Sequence, residues 1–262
     1  MTLTRIGFLG GGNMARALIG GLIGRGTPAA QLQVGEPGAA AREQLARDFG
    51  VAVSADNVAA IADCDLVIVA VKPQEARPVL LSVAAGIRIA ALRAWAGPGV
   101  PVVRTMPNRP ALIGAGVSGL FADPQVSTAQ RELAAGVMRA AGAAVWVERE
   151  ADLDVVTALS GSGPAYFFLL AEQMMQAAIA QGLQPEAARQ LAVGTLHGAG
   201  ALAGASDGDL ARLRREVTSK GGTTEAALEA FAAADFGAIV ARAMHAATQR
   251  SRELAARFGD VG

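Results

Sequence analysis

The chain has 262 residues, which at ~150 residues per domain makes about two domains and leaves room for a buried core. Its 23 basic and 23 acidic residues cancel, which removes the general attraction to nucleic acid or anionic membrane that a basic excess gives. Hydrophobic residues make up 52% of the chain but aromatic ones only 4%, so it is apolar mainly through Ala, Leu and Val, a composition of packed helices and not of disorder.

In chain order, short apolar or β-branched runs at 5–9, 32–34, 66–71, 81–84 and 100–104 alternate with helical patterns. That alternation predicts an α/β fold whose parallel strands are buried on both faces. After Val145, Trp146 and Val147 the strand signals stop, and Ala/Leu-rich stretches at 165–181, 185–203, 207–217, 224–233 and 236–258 predict an almost wholly helical second half. The charged stretch 148–152 is the economical boundary, giving domains of 1–150 and 151–262.

Fewer than a dozen residues separate the strand ending near Val71 from the next near Leu81, and a crossover helix does not fit there. An extended path does, since ~8 residues at ~3.4 Å reach past a strand of ~20 Å, and Pro73 and Pro78 suit it. The expectation is a stretched loop and a sheet face left partly uncovered or covered by a partner chain. The longest uncharged runs, 155–171 and 190–206, are interrupted by Gly, Ser, Gln or Pro, so no membrane span is expected. The N-terminus turns to glycine too early for a signal peptide, which points to the cytoplasm. Cys64 is the single cysteine, so neither an internal disulfide nor a cysteine-rich metal site is expected, and no metal site is assigned.

Gly10-Gly11-Gly12-Asn13-Met14-Ala15 places G-x-G-x-x-A between the first strand and a helix pattern. Gly10 permits the tight turn, Gly12 lets backbone approach a pyrophosphate, and Ala15 allows close helix packing, a dinucleotide-binding arrangement. Glu36, twenty-one residues after Ala15, stands where a carboxylate accepts hydrogen bonds from the adenosine ribose and repels a 2′-phosphate. With Arg42 a turn or more away, NADH is expected to serve at least as well as NADPH. A loop carboxylate turned to water remains the other reading of Glu36.

Carbonyl reduction wants a proton donor, yet the only lysines are Lys72 and Lys220, and the only histidines, His197 and His245, lie inside helical runs. A protonated imine needs no strong acid and is therefore the favoured substrate. Ser219, Gly221, Gly222, Thr223 and Thr224 offer hydroxyl and N–H groups at a helix start, a place to hold a carboxylate, although a capped helix start alone uses the same residues. The turn 160–165, Ser-Gly-Ser-Gly-Pro-Ala, reads equally as a close helix crossing and as a ligand contact.

Taken in order, GFLGGGNMA (7–15), AVKPQ (70–74), SVAAG (82–86), VVRTMPN (102–108), ALSGSGPAY (158–166) and VTSKGGTT (217–224) resemble the motif set of the pyrroline-5-carboxylate reductase family across nearly the whole chain. The resemblance implies a Rossmann-like domain followed by an all-α dimerisation domain, and NAD(P)H-dependent reduction of the C=N bond of 1-pyrroline-5-carboxylate to L-proline. It implies that Leu9, Gly10, Gly11, Gly12, Asn13 and Met14 hold the cofactor phosphates. Asn57, Ala70, Val71, Lys72 and Pro73 would line its ribose and phosphate side, and Ala84 and Ala85 would approach the nicotinamide. Ser219, Gly221, Gly222 and Thr223 would grip the substrate carboxylate, with the Thr224 hydroxyl near the ring nitrogen. It further implies a homodimer, often assembled into a ring of dimers.

Three features depart from the family pattern: Arg109 where Thr is usual, Lys220 where Pro is common, and the short connection after residue 71. Two other readings remain at this level. One is a β-hydroxyacid dehydrogenase, disfavoured because Lys220 sits in a glycine loop; the other is a non-catalytic nucleotide-binding sensor, for which the shortened connection speaks.

Overall fold

The computed structural model describes residues 5–68 and 79–259. Eight strands among them form one sheet in the order β3-β2-β1-β4-β5-β6-β7-β8. They are β1 (Ile6–Leu9), β2 (Leu32–Gly35), β3 (Ala52–Ser54), β4 (Leu66–Ile68), β5 (Val79–Ser82), β6 (Val102–Met106), β7 (Gly116–Ala122) and β8 (Gly142–Trp146). The four helices between them are α1 (Asn13–Gly24), α2 (Ala39–Phe49), α3 (Ile89–Ala96) and α4 (Thr128–Arg139). Strands β3 to β6 pair in parallel as expected, but β7 runs antiparallel to β6 and β8 then pairs in parallel with β7.

Alternate residues of each strand face opposite sides. Phe8, Val34, Leu66, Ile68, Leu81 and Val103 enter the main core beneath α1, α2 and α4. On the other face Leu9 and Val67 pack with Ala60, Ile61 and Cys64, while Leu80 and Val102 pack with Ile89, Leu92 and Ala96. This corrects the expectation of an uncovered sheet face. Every residue of β4 and β5 is buried, because the turn segment around 56–64 and α3 supply the cover. The extended path itself lies outside the described residues, as do Ala70, Val71, Lys72 and Pro73. Cys64 is buried against Gly7, and desolvation pushes its thiol up to about 11, which leaves it an inert apolar side chain at neutral pH.

By its contacts the chain forms two compact units, one running to Ser162 and resumed from Ala247, the other Gly163–Ala246. In the first, α5 (Asp152–Val156) belongs with the sheet: Leu153 is buried, Val156 fills the space that Gly119 leaves, and Ser251 Oγ donates to Asp154 Oδ1 at 2.7 Å. The second contains α6 (Gly163–Ala180), α7 (Pro185–Gly204), α8 (Leu210–Glu216) and α9 (Thr223–Ala233), with α10 (Phe236–Gly259) running on into the first.

A single π turn, Thr157–Gly161, follows α5 and leads to α6 through Ser162, whose backbone keeps right-handed helical angles (φ −86, ψ −23). The resulting helix, Asp152–Ala180, is long and apolar enough by length and composition to cross a membrane, against the expectation that no segment is. The Gly/Ser stretch that counted as an interruption in the sequence is itself helical. Phe167, Phe168 and Leu169 of α6 are all more than half exposed in the isolated chain.

Candidate active site

A crevice is built by the end of β1 and the start of α1. Gly10 has φ +93, which only glycine adopts freely, and its N–H donates to the Gly35 carbonyl at 2.7 Å. A methyl group at Gly11 would overlap Leu45, whereas Gly12 has open space in front of it. Gly12 is the N-cap of α1 and offers no capping side chain, so the first N–H groups of α1 are left for an anion. The cleft over this turn, about 170 Å³, is lined by Gly10, Gly12, Met14, Ala15, Ile68 and Val83 and lies where the strand order reverses around β1.

Two further groups converge on the same end of the sheet. Asn57 lies so close to Gly35 that no larger residue fits there, and its buried Oδ1 has no hydrogen-bond partner among the described residues. Ala84 follows β5 and donates its N–H to Ser82 Oγ at 3.3 Å, while Ala85 is exposed beside it. An open glycine cradle, an uncapped helix start and an orphaned acceptor fit a dinucleotide.

Glu36 is not turned to water. Its two oxygens accept from the N–H groups of Gly11, at 2.9 Å, and Gly38, at 2.8 Å, and these bonds hold its pKa below the ordinary 4.5. Their contribution to stability is therefore complete above about pH 4.5 and is lost as pH falls through the lowered value. The expectation of a remote Arg42 is corrected: its Nη1 reaches back to the carbonyls of Glu36, at 2.7 Å, and Pro37, at 2.6 Å. Helical side chains lean toward the N-terminus, which carries a guanidinium three residues into α2 back onto the loop. Glu36→Ala should lower affinity for NADH by roughly 10-fold and for NADPH by less. Fluorescence titration with each cofactor checks this, and equal losses would mean that the carboxylate does not reach the ribose.

The second cluster lies wholly in the helical unit. Gly222 is the N-cap of α9, which begins at Thr223, and again no side chain caps the helix. Gly221 takes φ +70, and Gly222 donates to the Ser219 carbonyl at 3.0 Å, so the loop closes on itself. A methyl group on Gly222 would stand 2.5 Å from Ser219 Oγ. Ser219, Gly221, Gly222, Thr223 and Thr224 are thus brought into one turn, with hydroxyl and N–H groups at a helix start. Glu225, which the sequence reading missed, anchors this turn by accepting from the Gly221 N–H at 2.6 Å. The signal was present: an acidic residue three positions after an N-cap is half of a capping box.

A family model described as pyrroline-5-carboxylate reductase dimerisation matches residues 150–254, and one described as NADP oxidoreductase, coenzyme F420-dependent, matches residues 5–88. The pyrroline-5-carboxylate reductase of Pseudomonas aeruginosa is 48% identical over 99% of this chain and 100% of its own length. The chain belongs to the pyrroline-5-carboxylate reductase family. The Vibrio alginolyticus pyrroline-5-carboxylate reductase is 40% identical, covering 97% of this chain and 98% of its own. Among solved structures, the pyrroline-5-carboxylate reductase of Coxiella burnetii superposes with a TM-score of 0.93 at 35% identity, covering 97% of this chain and 99% of its own. The Plasmodium falciparum pyrroline carboxylate reductase with NADP bound gives 0.78 at 26% identity, covering 97% and 99%. The Rossmann-like sheet followed by a helical dimerisation segment, which the resemblance implied, is the fold of this family.

Proposed function

We propose that this chain reduces the C=N bond of 1-pyrroline-5-carboxylate to L-proline, the last step of proline biosynthesis, with NADPH or NADH. The observation that carries the reading is the start of α9, which no side chain caps and where Ser219, Thr223 and Thr224 share one turn; Lys220, held in the same glycine loop, is given no acid role in this reading. In this reading residues 1–150 bind the dinucleotide, and residues 151–262 bind substrate and dimerise.

The turn from Ser219 to Thr223 holds the substrate carboxylate by N–H donors and a hydroxyl, a job suited to a helix N-terminus. Thr224 places its hydroxyl by the ring nitrogen and holds the protonated imine in register. When bound, the nicotinamide supplies the hydride. Because the nitrogen of a protonated imine would already carry its proton, the chain's own residues would need only to hold and orient the ring, with no further acid group. Gly10 to Met14 seat the pyrophosphate, Glu36 and Asn57 the ribose, and Ala84 and Ala85 the nicotinamide side; Ala70 to Pro73 belong to the same proposal.

The exposed apolar side chains of α6, together with Leu191 and Val193 of α7, support a homodimer built on the helical unit; a ring of such dimers belongs to the same proposal. Glu172, Gln173 and Gln176 within the long helix favour a protein partner over lipid. The balanced charge supports a protein with no general attraction to nucleic acid or anionic membrane, and a cytoplasmic location belongs to the same reading.

The purified protein mixed with 1-pyrroline-5-carboxylate should oxidise NADPH or NADH at 340 nm and form one proline per cofactor consumed. Binding of both cofactors without oxidation would overturn the reading in favour of a sensor.

A further inference from the structure

Two motifs of the sequence, VVRTMPN and ALSGSGPAY, take no direct part in the chemistry proposed above, and the structure joins them through one side chain. Asn108 follows β6 and is only 8% exposed. Its Nδ2 donates to the Ser160 carbonyl at 3.0 Å, and its Oδ1 accepts from the Val117 N–H at 3.0 Å. Both partners are backbone groups of fixed polarity, so the amide has a single orientation that satisfies them.

Ser160 lies inside the π turn, where Ser162 donates five residues back to Thr157 at 2.8 Å. In a continuing helix the Ser160 carbonyl would accept from the N–H four residues on, but residue 164 is proline and has none. The sequence itself thus removes the α-helical donor of this half-buried carbonyl. Asn108 supplies the missing donor. Around it the turn is held by Thr157 Oγ1 on the Leu153 carbonyl at 2.7 Å and Ser160 Oγ on the Val156 carbonyl at 3.0 Å. Met106, two residues before Asn108, lies so close to Gly161 that a methyl group there would stand 2.9 Å from its Cε.

The same strand end also braces the nicotinamide-side loop. Thr105 Oγ1 donates to the buried Ser82 carbonyl at 3.1 Å, and Ser82 Oγ receives the Ala84 N–H. The segment 105–108 therefore fixes both the loop before Ala84 and Ala85 and the turn from which the chain enters α6.

We propose that Asn108 is a positioning residue for the reaction: its amide replaces the donor that Pro164 lacks and so sets the π turn through which the chain enters α6. The proposal rests on the reductase reading for its effect on turnover, but the bond it invokes belongs to the first unit alone. Asn108→Asp keeps the acceptor for Val117 and turns a carboxylate toward the Ser160 carbonyl. Asn108→Ala removes both bonds without adding charge.

Both variants should bind NADPH within about twofold of the unmodified protein and lose ~10-fold or more in kcat at about pH 8. The introduced carboxyl, raised by burial, regains a proton as pH falls and can then donate to Ser160, so Asn108→Asp should recover relative to the unmodified protein while Asn108→Ala does not. Turnover within twofold of the unmodified protein in both variants would overturn the proposal. So would the same pH dependence in the two, or a parallel loss of NADPH binding. If Asn108→Asp does not fold, Asn108→Ala/Pro164→Ala takes its place: the restored N–H at residue 164 should raise kcat above that of Asn108→Ala, and no rise would overturn the proposal. Hydrogen exchange across residues 157–163, faster in Asn108→Ala, reads the same bond without substrate; unchanged exchange there contradicts it even in a protein that reduces no imine.

Discussion

Thr224→Ala lowers kcat by roughly 10- to 100-fold while NADPH affinity stays within about twofold, as expected for a lost hydrogen bond to a charged group. Thr224 is the second residue of α9, immediately after the Gly222–Thr223 helix start. Alanine is a better helix former than threonine, so the substitution leaves α9 intact and isolates the hydroxyl. Because the glycine cradle of the cofactor lies in the other compact unit, the loss falls on turnover of the imine and not on the binary complex. Thr224→Ser keeps the hydroxyl and should recover most of the rate. Steady-state kinetics with saturating cofactor, set beside a cofactor titration, makes the comparison. Unchanged kcat in Thr224→Ala removes the hydroxyl from the mechanism.

The largest effect on stability is expected at Gly142, where β8 begins. Gly142 has φ +144 and faces Gly116 in the register of β7 and β8, and an added methyl group would overlap the Gly116 backbone. Gly116 cannot recede, since a methyl group of its own would already meet the Ala111 Cα and the Ala141 carbonyl at 2.8 Å. Strained backbone and overpacking against main chain together cost on the order of 4 kcal/mol, a large part of the total stability of a domain. Gly142→Ala should therefore lower Tm by roughly 10 °C or fail to accumulate as folded protein. Gly136, exposed inside α4 with open space around it, provides the control, because Gly136→Ala should hold or raise Tm. Thermal melts followed by circular dichroism decide it; a Gly142→Ala variant as stable as the unmodified protein would mean that the two glycines do not approach as described.

Much of this architecture could be read before any coordinates. The first strand and the glycine turn carry their own local signals, and the helices of the second half begin and end within a few residues of their Pro, Gly and Thr markers. What the residues did not disclose was relational. The run Gly116–Ala122 is too rich in glycine, serine and alanine to announce a strand, and nothing local sets its direction against β6. The cover over β4 and β5 comes from residues 56–64 and from α3, segments with no sequence mark of what they would pack upon.

The site shows the same division. The turns of Gly10 to Gly12 and of Ser219 to Thr224 were legible as helix starts because those signals are written in consecutive residues. Glu36 was placed correctly at the end of β2, but its bonds to Gly11 and Gly38 depend on how two loops meet, and so does the return of Arg42 onto that loop. The π turn escaped notice because its Gly/Ser composition suits a break equally well. Only the pairing of Ser160 with Asn108, fifty-two positions away in sequence, explains why that turn needs no N–H from Pro164.

The account stands on direct hydride delivery to a cyclic imine held by the α9 turn. The most direct test is reduction of 1-pyrroline-5-carboxylate with NADPH carrying deuterium at the transferable C4 position, followed by mass spectrometry of the product. The account predicts proline bearing one deuterium at the former imine carbon for every cofactor oxidised. Proline without deuterium, or no proline while the cofactor remains bound and reduced, would contradict it.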